Sequence, residues 1–426
     1  MIGLKRGTVA LIEHQREWEI EAKNTINILK NILGDVICNI DHVGSTAIKT
    51  IKAKPIVDIA IAVDDFNAVL DKKEQLKNAG FYYRPNSDLG EQLLFACGSL
   101  YEGTGDLQTH FIHIVKKDSM DWINYINFRD YLNKNPNIAK QYETLKLSLA
   151  AKAPKDNGRE MYLKGKHDFI THTLRKALVK SYLGKKVNIK IDRPIGYVHY
   201  KENYSLTYPI NYGYIPGVFG GDGEELDVYL LGVDKPVNEY NARIIGIVHR
   251  ENDVEDKLIA APDGVIFNQA QIAENIHFQE KYYKTYIEAI YQRSCGVIVF
   301  RTVNGKREYL CLLQNLSGTY SVPKGHLEAF ESEKDCALRE LFEETGIKVK
   351  LIDGFKKEIN YVFHTSSGEK NKTVALFLAE YNGELNIDHN EIVGYQWLNS
   401  KMAKQILPNG CSKVIDDVEM FLCPTI

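Results

Sequence analysis

The chain has 426 residues, and at roughly 100–200 residues per domain this length predicts two to four domains, of which three fit the motifs best. Hydrophobic residues make up 44% and charged residues 26% of the sequence, a composition typical of folded globular proteins rather than disordered chains. The net charge of -3, from 53 basic and 56 acidic side chains, excludes the overall basic field with which many proteins concentrate nucleic acid.

Cysteine usage and hydropathy indicate the compartment. The seven cysteines are widely spaced and include no Cys-x-x-Cys pair, so we expect reduced, mostly buried thiols rather than a zinc or redox site. The N-terminal MIGLKRGTVALIEHQREWEI lacks an apolar run of signal-peptide length, and no later stretch approaches the roughly 18 apolar residues that a membrane span needs. These features predict a cytoplasmic protein without a membrane partner.

The first domain is expected over residues 1–178. Its pattern mixes helices and short strands: EWEIEAKNTINILKNIL is amphipathic and helical, KPIVDIAIAV is a β-branched strand, and GKHDFITHTLRKALV is helical. The LGKK that follows is predicted to be a linker. We therefore expect an α/β domain that ends at this linker.

The segment HVGSTAIKTIKAKPIVDIAIAV resembles the GrpB-like branch of the nucleotidyltransferase folds. In that branch a Gly-Ser pair opens a helix toward a triphosphate, which implies that Gly44 and Ser45 bind an anionic substrate, since helix N-termini suit anions. The branch also has an Asp-x-Asp strand that holds two metals; Asp58 is its first carboxylate here, but Ala60 occupies the second position. The resemblance thus implies nucleotide binding without transfer, and a purely structural domain is the alternative.

Further residues match this branch, and the resemblance implies that they line the same cleft: His110, His113, Tyr162 and Lys166. The two histidines either form ordinary hydrogen bonds there or bind a metal. In both interpretations they belong to the cleft that contains Asp58.

The second domain is expected over residues 186–290. Short strands with Gly and Pro turns precede a helical QIAENIHFQEKYYKTYIEAIY, so we predict a β-rich domain capped by a helix. Within it, Asp222 and Asp227 stand five positions apart with Glu224 between them. Residues five apart on an extended chain face opposite sides, so the chain must bend there, and the neighbouring glycines permit the bend. Clustered carboxylates indicate bound Mg²⁺.

The segment YPINYGYIPGVFGGDGEELDVYLLG resembles the soluble inorganic pyrophosphatases, which carry such an aspartate pair on a small OB-like β-barrel. The resemblance implies a metal site made by Asp222, Asp227 and one residue of VEDKLIAAP, either Glu255 or Asp256. It also implies phosphate contacts from Tyr212, Lys257 and Tyr282. Where the family places an early metal-site glutamate the sequence has Lys190 or Asp192, depending on register, so a working pyrophosphatase and a phosphate-binding relic both remain open.

The third domain is expected over residues 291–426, starting almost at once with the strand CGVIVFRTV. In GHLEAFESEKDCALRELFEETGI, the carboxylates of Glu340, Glu343 and Glu344 stand at i, i+3 and i+4, which places them on one helix face within about a turn. Their charges repel, and a hard divalent cation, Mg²⁺ or Mn²⁺, relieves that repulsion. A surface helix with acidic residues is the plain alternative. Gly346 is predicted to end the helix.

The spacing of this segment matches the Nudix box at every defined position, so the domain resembles the Nudix hydrolases, which fold as an α/β/α sandwich. The resemblance implies that the three glutamates are catalytic metal ligands in the cleavage of a phosphoanhydride bond. It further implies that Gly325 is structural and that Glu331 pairs with Arg339 to hold a loop-helix-loop shape.

The segments SVPKGH, NKTVALFLAE and NEIVGYQWL resemble the asymmetric diadenosine tetraphosphate hydrolases within that family. The resemblance implies that Lys324, His326 and Lys372 face the polyphosphate and that Glu391 adds a catalytic carboxylate to the metal site. Tyr320 stands near where that branch usually carries tryptophan, and it either stacks on a base or packs in the core. For Lys372 the alternative is a solvated surface lysine.

Taken together, the sequence predicts a multidomain α+β enzyme that hydrolyses dinucleoside polyphosphates with Mg²⁺, joined to a domain that removes pyrophosphate. Nucleoside triphosphates or a 5′-triphosphate RNA end are the alternative substrates, and a nucleotide-sensing scaffold with silent N-terminal domains is the alternative class of protein. The expected partners are a small nucleotide and pyrophosphate, with no nucleic acid other than such an RNA end. The oligomeric state is left open.

Overall fold

A computed structural model describes residues 2–85, 92–152, 158–201, 204–220, 223–251, 253, 255–315, 317–365 and 368–423. Its chain divides into two compact units, residues 1–182 with 217–225, and residues 183–216 with 226–426. The architecture is multidomain α+β, as predicted. Among the described residues, we find no helix with the length and apolar character that crossing a membrane requires.

The N-terminal unit is built on a five-stranded mixed sheet. The strands of the N-terminal unit are β1 (Leu4–Lys5), β2 (Asn39–Val43), β3 (Val57–Val63), β4 (Tyr82–Tyr83), β5 (Gln92–Cys97), β6 (Leu107–Gln108) and β7 (His110–Lys116). The sheet order is β2-β3-β7-β5-β4, with β3 and β7 parallel at its centre, while β1 and β6 form a separate ribbon. The predicted strand around Asp58 is therefore a central one.

Helices surround this sheet, and they are α1 (Arg16–Leu33), α2 (Phe66–Leu70), α3 (Lys73–Asn78), α4 (Ser99–Glu102), α5 (Met120–Lys134), α6 (Pro136–Lys152), α7 (Gly158–Lys164) and α8 (His167–Tyr182). The predicted amphipathic helix is confirmed as α1, which buries Trp18, Ala22, Leu29 and Leu33 on one face. The predicted helix after Gly44 is only a single 3₁₀ turn, Ser45–Ala47.

The second unit begins with a closed β-barrel. Its elements are β8 (Lys186–Arg193), β9 (Val198–Lys201), β10 (Tyr204–Thr207), β11 (Asn211–Phe219), β12 (Glu225–Leu230), β13 (Glu239–Arg250), β14 (Lys257–Ala261), α9 (Gln269–Glu280) and β15 (Thr285–Ala289). The order β14-β12-β11-β8-β13 closes because β13 also pairs with β14, and β15 joins the outer edge of β13. The barrel interior is apolar and aromatic.

Two predictions in this region are wrong. The helix expected over 271–291 ends at Glu280, because the residues from Thr285 to Ala289 pair with β13 as a strand instead. The LGKK segment is not a free linker, since the Gly184 N–H donates to the Ile244 carbonyl at 2.8 Å and β8 begins at Lys186. In both cases tertiary pairing with β13 overrides the local pattern.

The C-terminal part of this unit is a seven-stranded sheet between two helical layers. Its elements are β16 (Tyr291–Val303), β17 (Lys306–Gln314), β18 (Tyr320–Ser321), β19 (Lys324–His326), α10 (Glu333–Thr345), β20 (Lys357–Thr365), β21 (Gly368–Glu380), β22 (Ile392–Asn399), α11 (Ser400–Ile406) and α12 (Asn409–Leu422). Residues of α10 pack on one face of the sheet, and residues of α11 and α12 pack on the other. This is the α/β/α sandwich that the sequence predicts.

Candidate functional site

The helix α10 carries the candidate catalytic glutamates, and local sequence fixes both of its ends. The hydroxyl of Ser332 accepts a hydrogen bond from the Asp335 N–H at 3.2 Å, which caps the N-terminus. Gly346 ends the helix with φ 70°, a left-handed conformation that glycine adopts without strain. Apolar residues of α10, including Cys336, Ala337 and Leu341, are buried against the sheet. The helix is therefore rigidly placed.

At Gly325 the sheet and the glutamate helix approach each other closely. It lies on β19, which pairs with β16, and a Cβ added to it would stand 2.0 Å from the carboxyl carbon of Glu340. Real Cβ atoms cannot come so close, so any side chain here would displace the Glu340 carboxylate. The structural role predicted for Gly325 thus has a steric basis.

Arg339 connects the acidic residues of the box. Its guanidinium donates to both carboxylate oxygens of Glu331, at 2.8 and 2.9 Å, so these two side chains form a bidentate ion pair. The same guanidinium donates to Glu340 at 2.8 Å and to Glu343 at 3.0 Å, and to the backbone carbonyl of His326 at 3.1 Å. One arginine thereby ties the loop before the helix to the glutamates on it.

The carboxylates differ in their environments. Burial raises the pKa of Glu344 to about 7, against the positive charge of Lys324, whose backbone N–H lies 3.3 Å from the carboxylate. Burial also raises the pKa of Glu340, although the hydrogen bond and positive charge of Arg339 lower it. The negative charges of Glu343 and Glu391 raise this pKa further. Glu391 therefore lies near enough to Glu340 for its negative charge to raise the pKa of Glu340, although the Glu391 side chain is exposed. A side chain that sequence analysis missed, Gln314, lies beside Glu344 and favours its ionised form.

Across the described part of the chain, no group of three acidic, histidine or cysteine side chains converges ready-made on a metal ion. The glutamates of α10 nevertheless fit a divalent cation, because two of them, Glu340 and Glu344, are desolvated carboxylates whose ionised forms are disfavoured without one. Glu343, by contrast, has a side chain 56% exposed. The donor set is all oxygen, as Mg²⁺ and Mn²⁺ prefer.

The predicted polyphosphate-facing residues form a positively charged row beside these glutamates. The Lys372 ammonium lies 3.4 Å from the His326 Nε2 atom. Burial, strengthened by the charge of Lys324, lowers the pKa of Lys372 to about 8. Desolvation of the ring, with the charges of Lys372 and Lys324, lowers the pKa of His326 to about 4, although the residue as a whole is exposed. The ring is therefore neutral at pH 7, and an anion placed here would offset the crowded positive charge.

Tyr320 is partly buried and packs against the apolar core on the α11–α12 side of the sheet. Its hydroxyl accepts a hydrogen bond from the Gln396 amide at 2.8 Å. This arrangement favours the interpretation as a core aromatic over that as a base-stacking residue.

The barrel contains a second polar cluster, on β11, β12 and β14. The Lys257 ammonium donates to the Tyr212 hydroxyl at 2.9 Å, to Glu255 at 2.8 Å and to Asp227, while the Tyr212 hydroxyl also donates to Asp227. Lys257 is only 3% exposed, and this burial disfavours the charged ammonium. The negative charges of Asp227 and Glu255 have the larger combined effect, so the pKa of Lys257 is raised. Asp222, the other predicted ligand, lies outside the described residues.

The structure selects among the alternatives at this cluster. Glu255 faces Lys257, whereas Asp256 pairs with His249 at 2.7 Å and so lies apart from it. Of the two candidates on β8, Asp192 interacts with Asp227: burial raises the pKa of Asp192, and the charge of Asp227 adds to the shift. Tyr282 is 62% exposed, with its ring beside Lys281, so the structure does not bring it to the cluster.

Two aromatic residues that sequence analysis missed complete the surroundings of the barrel cluster. Tyr208 lies 5.4 Å from the Tyr212 ring and receives a hydrogen bond from Arg193 at 2.8 Å. Tyr229 packs edge-on against Tyr212 at 4.9 Å. Tyr229 lies on β12 and Tyr208 lies between β10 and β11, and both pack with Tyr212 in the apolar interior of the barrel. Local sequence does not predict this packing, because it depends on closure of the barrel.

The N-terminal unit has a pocket of about 630 Å³. Its lining contains the predicted Ser45, Asp58, His113, Tyr162 and Lys166. Three further cations line it that sequence analysis did not single out: Arg6, Lys54 and Arg84. Among the residues that the structure describes, four cationic side chains thus line the pocket together with the Asp58 carboxylate, which suits an anionic ligand.

Details around Asp58 correct two expectations. Gly44 has φ 71°, and a Cβ there would meet the Asp58 carboxylate at 2.4 Å, so Gly44 accommodates that side chain rather than heading an anion-binding helix. His113 lies 3.4 Å from Asp58 and 3.0 Å from the Tyr125 hydroxyl, whereas His110 contacts Thr25 at 3.3 Å. The two histidines stand three positions apart on β7 and face opposite sides, so they do not share a metal. Ala60 is fully buried.

Three family models match the chain: "GrpB protein" over residues 8–176, "Inorganic pyrophosphatase" over 179–293 and "NUDIX domain" over 291–416. The chain is similar to glutamate-rich protein GrpB of Alkalihalophilus pseudofirmus, with 36% identity covering 41% of this chain and 98% of the relative. It is similar to mouse bis(5′-nucleosyl)-tetraphosphatase (asymmetrical), with 36% identity covering 31% of this chain and 97% of the relative. A third relative, the NAD-capped RNA hydrolase NudC of Vibrio parahaemolyticus, is 40% identical over 22% of this chain and 34% of its own length.

The sandwich fold and its glutamate helix define a hydrolase that acts on phosphoanhydride bonds. The chain belongs to the GrpB family through its N-terminal part and to the Nudix family through its C-terminal part, and the segment between them matches the inorganic pyrophosphatase model. Nudix and inorganic pyrophosphatase domains generally depend on divalent metals.

Proposed function

We propose that the C-terminal domain, residues 291–426, hydrolyses dinucleoside polyphosphates of the diadenosine tetraphosphate type. The observation that carries this proposal is the juxtaposition of the α10 glutamates with Lys324, His326 and Lys372: the Lys324 N–H lies 3.3 Å from the Glu344 carboxylate, and the Lys372 ammonium lies 3.4 Å from His326. The mouse relative, an asymmetrical bis(5′-nucleosyl)-tetraphosphatase, matches this chain over 97% of its length and supports the same substrate class.

In this proposal Glu340, Glu343, Glu344 and Glu391 would hold Mg²⁺ or Mn²⁺, which would supply polarisation of the phosphate oxygens and activation of the attacking water. Arg339, anchored on Glu331, keeps Glu340 and Glu343 close to each other before substrate arrives. Lys324 and Lys372 offset the negative charge of the polyphosphate, and the neutral ring of His326 can donate a hydrogen bond to a phosphate oxygen.

A substrate panel tests the proposal directly. We expect the full chain with Mg²⁺ to hydrolyse diadenosine tetraphosphate with a higher kcat/KM than ATP or a 5′-triphosphate RNA, because both nucleosides contribute binding. Initial rates of nucleotide release, measured by chromatography, would show the order. A preference for ATP or for the RNA end would move the assignment to the alternative substrates, and the NAD-capped RNA hydrolase relative is the observation that favours an RNA end.

For the middle domain, residues 186–290, we propose an OB-like barrel that binds pyrophosphate and hydrolyses it with Mg²⁺. Asp222, Asp227 and Glu255 are its proposed metal ligands, and the buried Tyr212 and Lys257 its proposed phosphate contacts. The support is the compact cluster in which Lys257 lies 2.8 Å from Glu255, with Asp227 and Tyr212 beside it. Asp192, whose pKa the negative charge of Asp227 helps to raise, is the proposed counterpart of the family's early glutamate.

Asp227→Asn is expected to abolish phosphate release from pyrophosphate while leaving diadenosine tetraphosphate hydrolysis within about twofold, because the proposed metal sites are separate clusters. A phosphate-release assay on the full chain measures the first activity and chromatography the second. Asp234→Asn, an exposed aspartate nearby, is the matched control. Absence of phosphate release by the wild-type protein would instead identify the middle domain as a phosphate-binding relic.

For the N-terminal domain, residues 1–178, we propose a nucleotidyltransferase-like fold that binds a nucleotide without transferring it. Among the described residues, its pocket pairs four cations with the carboxylate of Asp58, and the buried Ala60 cannot supply a second metal ligand. This would make the domain a sensor attached to the hydrolase rather than a second enzyme.

A further inference from the structure

A pocket of about 520 Å³ lies where the pyrophosphatase-like barrel meets the C-terminal sandwich within the second unit. Strands β16, β20 and β21 of the sandwich provide most of its lining, including Tyr291, Tyr361 and Lys372. The remaining wall comes from the barrel domain, from Ile266, Asn268 and Gln271 at the start of α9. The pocket is therefore completed by a domain that lies outside the Nudix fold.

The barrel wall is firmly held. The Gln269 side chain donates to the carbonyls of Arg293 and Leu327 at 2.7 and 2.9 Å, and it accepts from the Arg293 N–H at 2.8 Å. Asn268 caps α9 and forms a capping box with Gln271, whose side chain accepts from the Asn268 N–H at 3.1 Å. These contacts fix the position of the wall relative to the strands opposite, so the pocket is formed before any ligand binds.

The chemistry of the lining suits an uncharged, planar and polar group. Side-chain amides line the pocket at Asn268, Gln271, Gln292, Asn360 and Asn371. The oxygens of Asn268, Gln271 and Asn360 accept hydrogen bonds within the protein, so these three residues present chiefly their NH₂ donors. Tyr361 is 43% exposed and offers an aromatic surface. A purine or pyrimidine needs this combination, namely stacking on its face and paired donors and acceptors on its edge. The volume lies within the usual range for small-molecule pockets.

The charged residues of the pocket indicate where the phosphates of a bound nucleotide would lie. Arg293 is held in ion pairs with Glu333 and Glu358, so its charge is offset within the protein. Lys372 lies at the pocket and also 3.4 Å from His326, in the positive row beside the glutamates of α10. A ligand whose nucleoside occupies the pocket can therefore extend its phosphates past Lys372 toward Glu340.

We propose that this pocket binds one nucleoside of the polyphosphate substrate and that the barrel domain, through Ile266 and the start of α9, contributes to nucleoside selection. The inference rests on the proposed function for its substrate class. It assigns to the middle domain a role in the C-terminal reaction that is independent of any pyrophosphatase activity.

The test fills the pocket from the barrel side. Ile266 is 58% exposed and lies outside the proposed catalytic groups, so Ile266→Trp should narrow the pocket without disturbing a core. The matched control is Ile20→Trp, an isoleucine 53% exposed on α1. Binding of diadenosine tetraphosphate to the full chain is measured by calorimetry in EDTA, where metal-dependent turnover is absent, and kcat and KM are measured separately with Mg²⁺.

We expect Ile266→Trp to weaken binding and to raise KM at least about tenfold with kcat within about threefold, as for an interaction made equally in the ground and transition states, while Ile20→Trp behaves like wild type. Unchanged binding and KM in Ile266→Trp would overturn the pocket assignment, whatever the turnover. Weakened binding without any hydrolysis by the wild-type chain would keep the nucleoside pocket and contradict the proposed hydrolase function.

Discussion

Glu344→Gln is expected to lower kcat for diadenosine tetraphosphate by at least about 10²-fold, the typical effect of removing one group that stabilises developing charge in the transition state. Glu344 is 4% exposed, and burial holds its pKa at about 7, so its ionised form requires a compensating positive charge. The substitution preserves the shape of the side chain but removes the negative charge that would hold the metal. Glu343→Gln is expected to have a similar effect.

The comparison requires a folded variant and a neutral control. Asp335→Asn changes an exposed acid on the first turn of the same helix, where the amide can still accept from Ser332, so it should retain wild-type kcat. Circular dichroism and gel filtration would show that each variant is folded. Activity of Glu344→Gln within a few-fold of wild type would show that the α10 glutamates do not hold the catalytic metal.

The largest stability effect is expected for Arg250→Met, at about 3–5 kcal/mol in the free energy of unfolding of the barrel, because this leaves a buried carboxylate without its partner. The side chains of Arg250 and Glu280 are 3% and 4% exposed, and the guanidinium donates to both carboxylate oxygens, at 2.9 and 2.5 Å. The ring of Tyr283 lies 3.7 Å from the guanidinium carbon. Hydrogen exchange at the amides of β13 would measure the change in the full chain.

A double variant separates the charge from the packing. Arg250→Met combined with Glu280→Gln removes both charges, while the glutamine oxygen can still accept the hydrogen bond that Tyr229 donates to Glu280. We expect this pair of changes to recover at least half of the lost stability, since a neutral group is much cheaper to bury than an unpaired charge. Equal losses in the single and double variants would mean that packing, not charge, sets the stability.

The parts of the candidate site that could be predicted from sequence are those set by local geometry. The spacing from Gly325 to Gly346 fixes a helix with its cap, so the pairing of Glu331 with Arg339 followed from the resemblance and is present in the structure. The contact of Glu344 with Gln314 could not be predicted, because β17 and α10 are far apart in sequence. The same applies to β15, whose residues have a helical pattern but gain more by pairing with β13.

In the N-terminal pocket, too, only some of the residues could be predicted from sequence. Asp58 and His113 were placed together correctly because they lie on β3 and β7, neighbouring parallel strands. The cations Arg6 and Arg84 were missed, since nothing in their local sequence distinguishes them from surface arginines and only the tertiary fold brings them to this cavity. Periodicity alone cannot report such long-range convergence.

The central claim is that the glutamates of α10 support metal-dependent cleavage of a dinucleoside polyphosphate. Its most direct test is to incubate the full chain with diadenosine tetraphosphate and Mg²⁺ and to identify the products by chromatography, with Glu344→Gln and EDTA as parallel samples. We expect ATP and AMP in equal amounts from the wild-type protein, and their loss in both parallel samples. Intact substrate with the wild-type protein under Mg²⁺ and Mn²⁺, or equal product formation by Glu344→Gln, would contradict it.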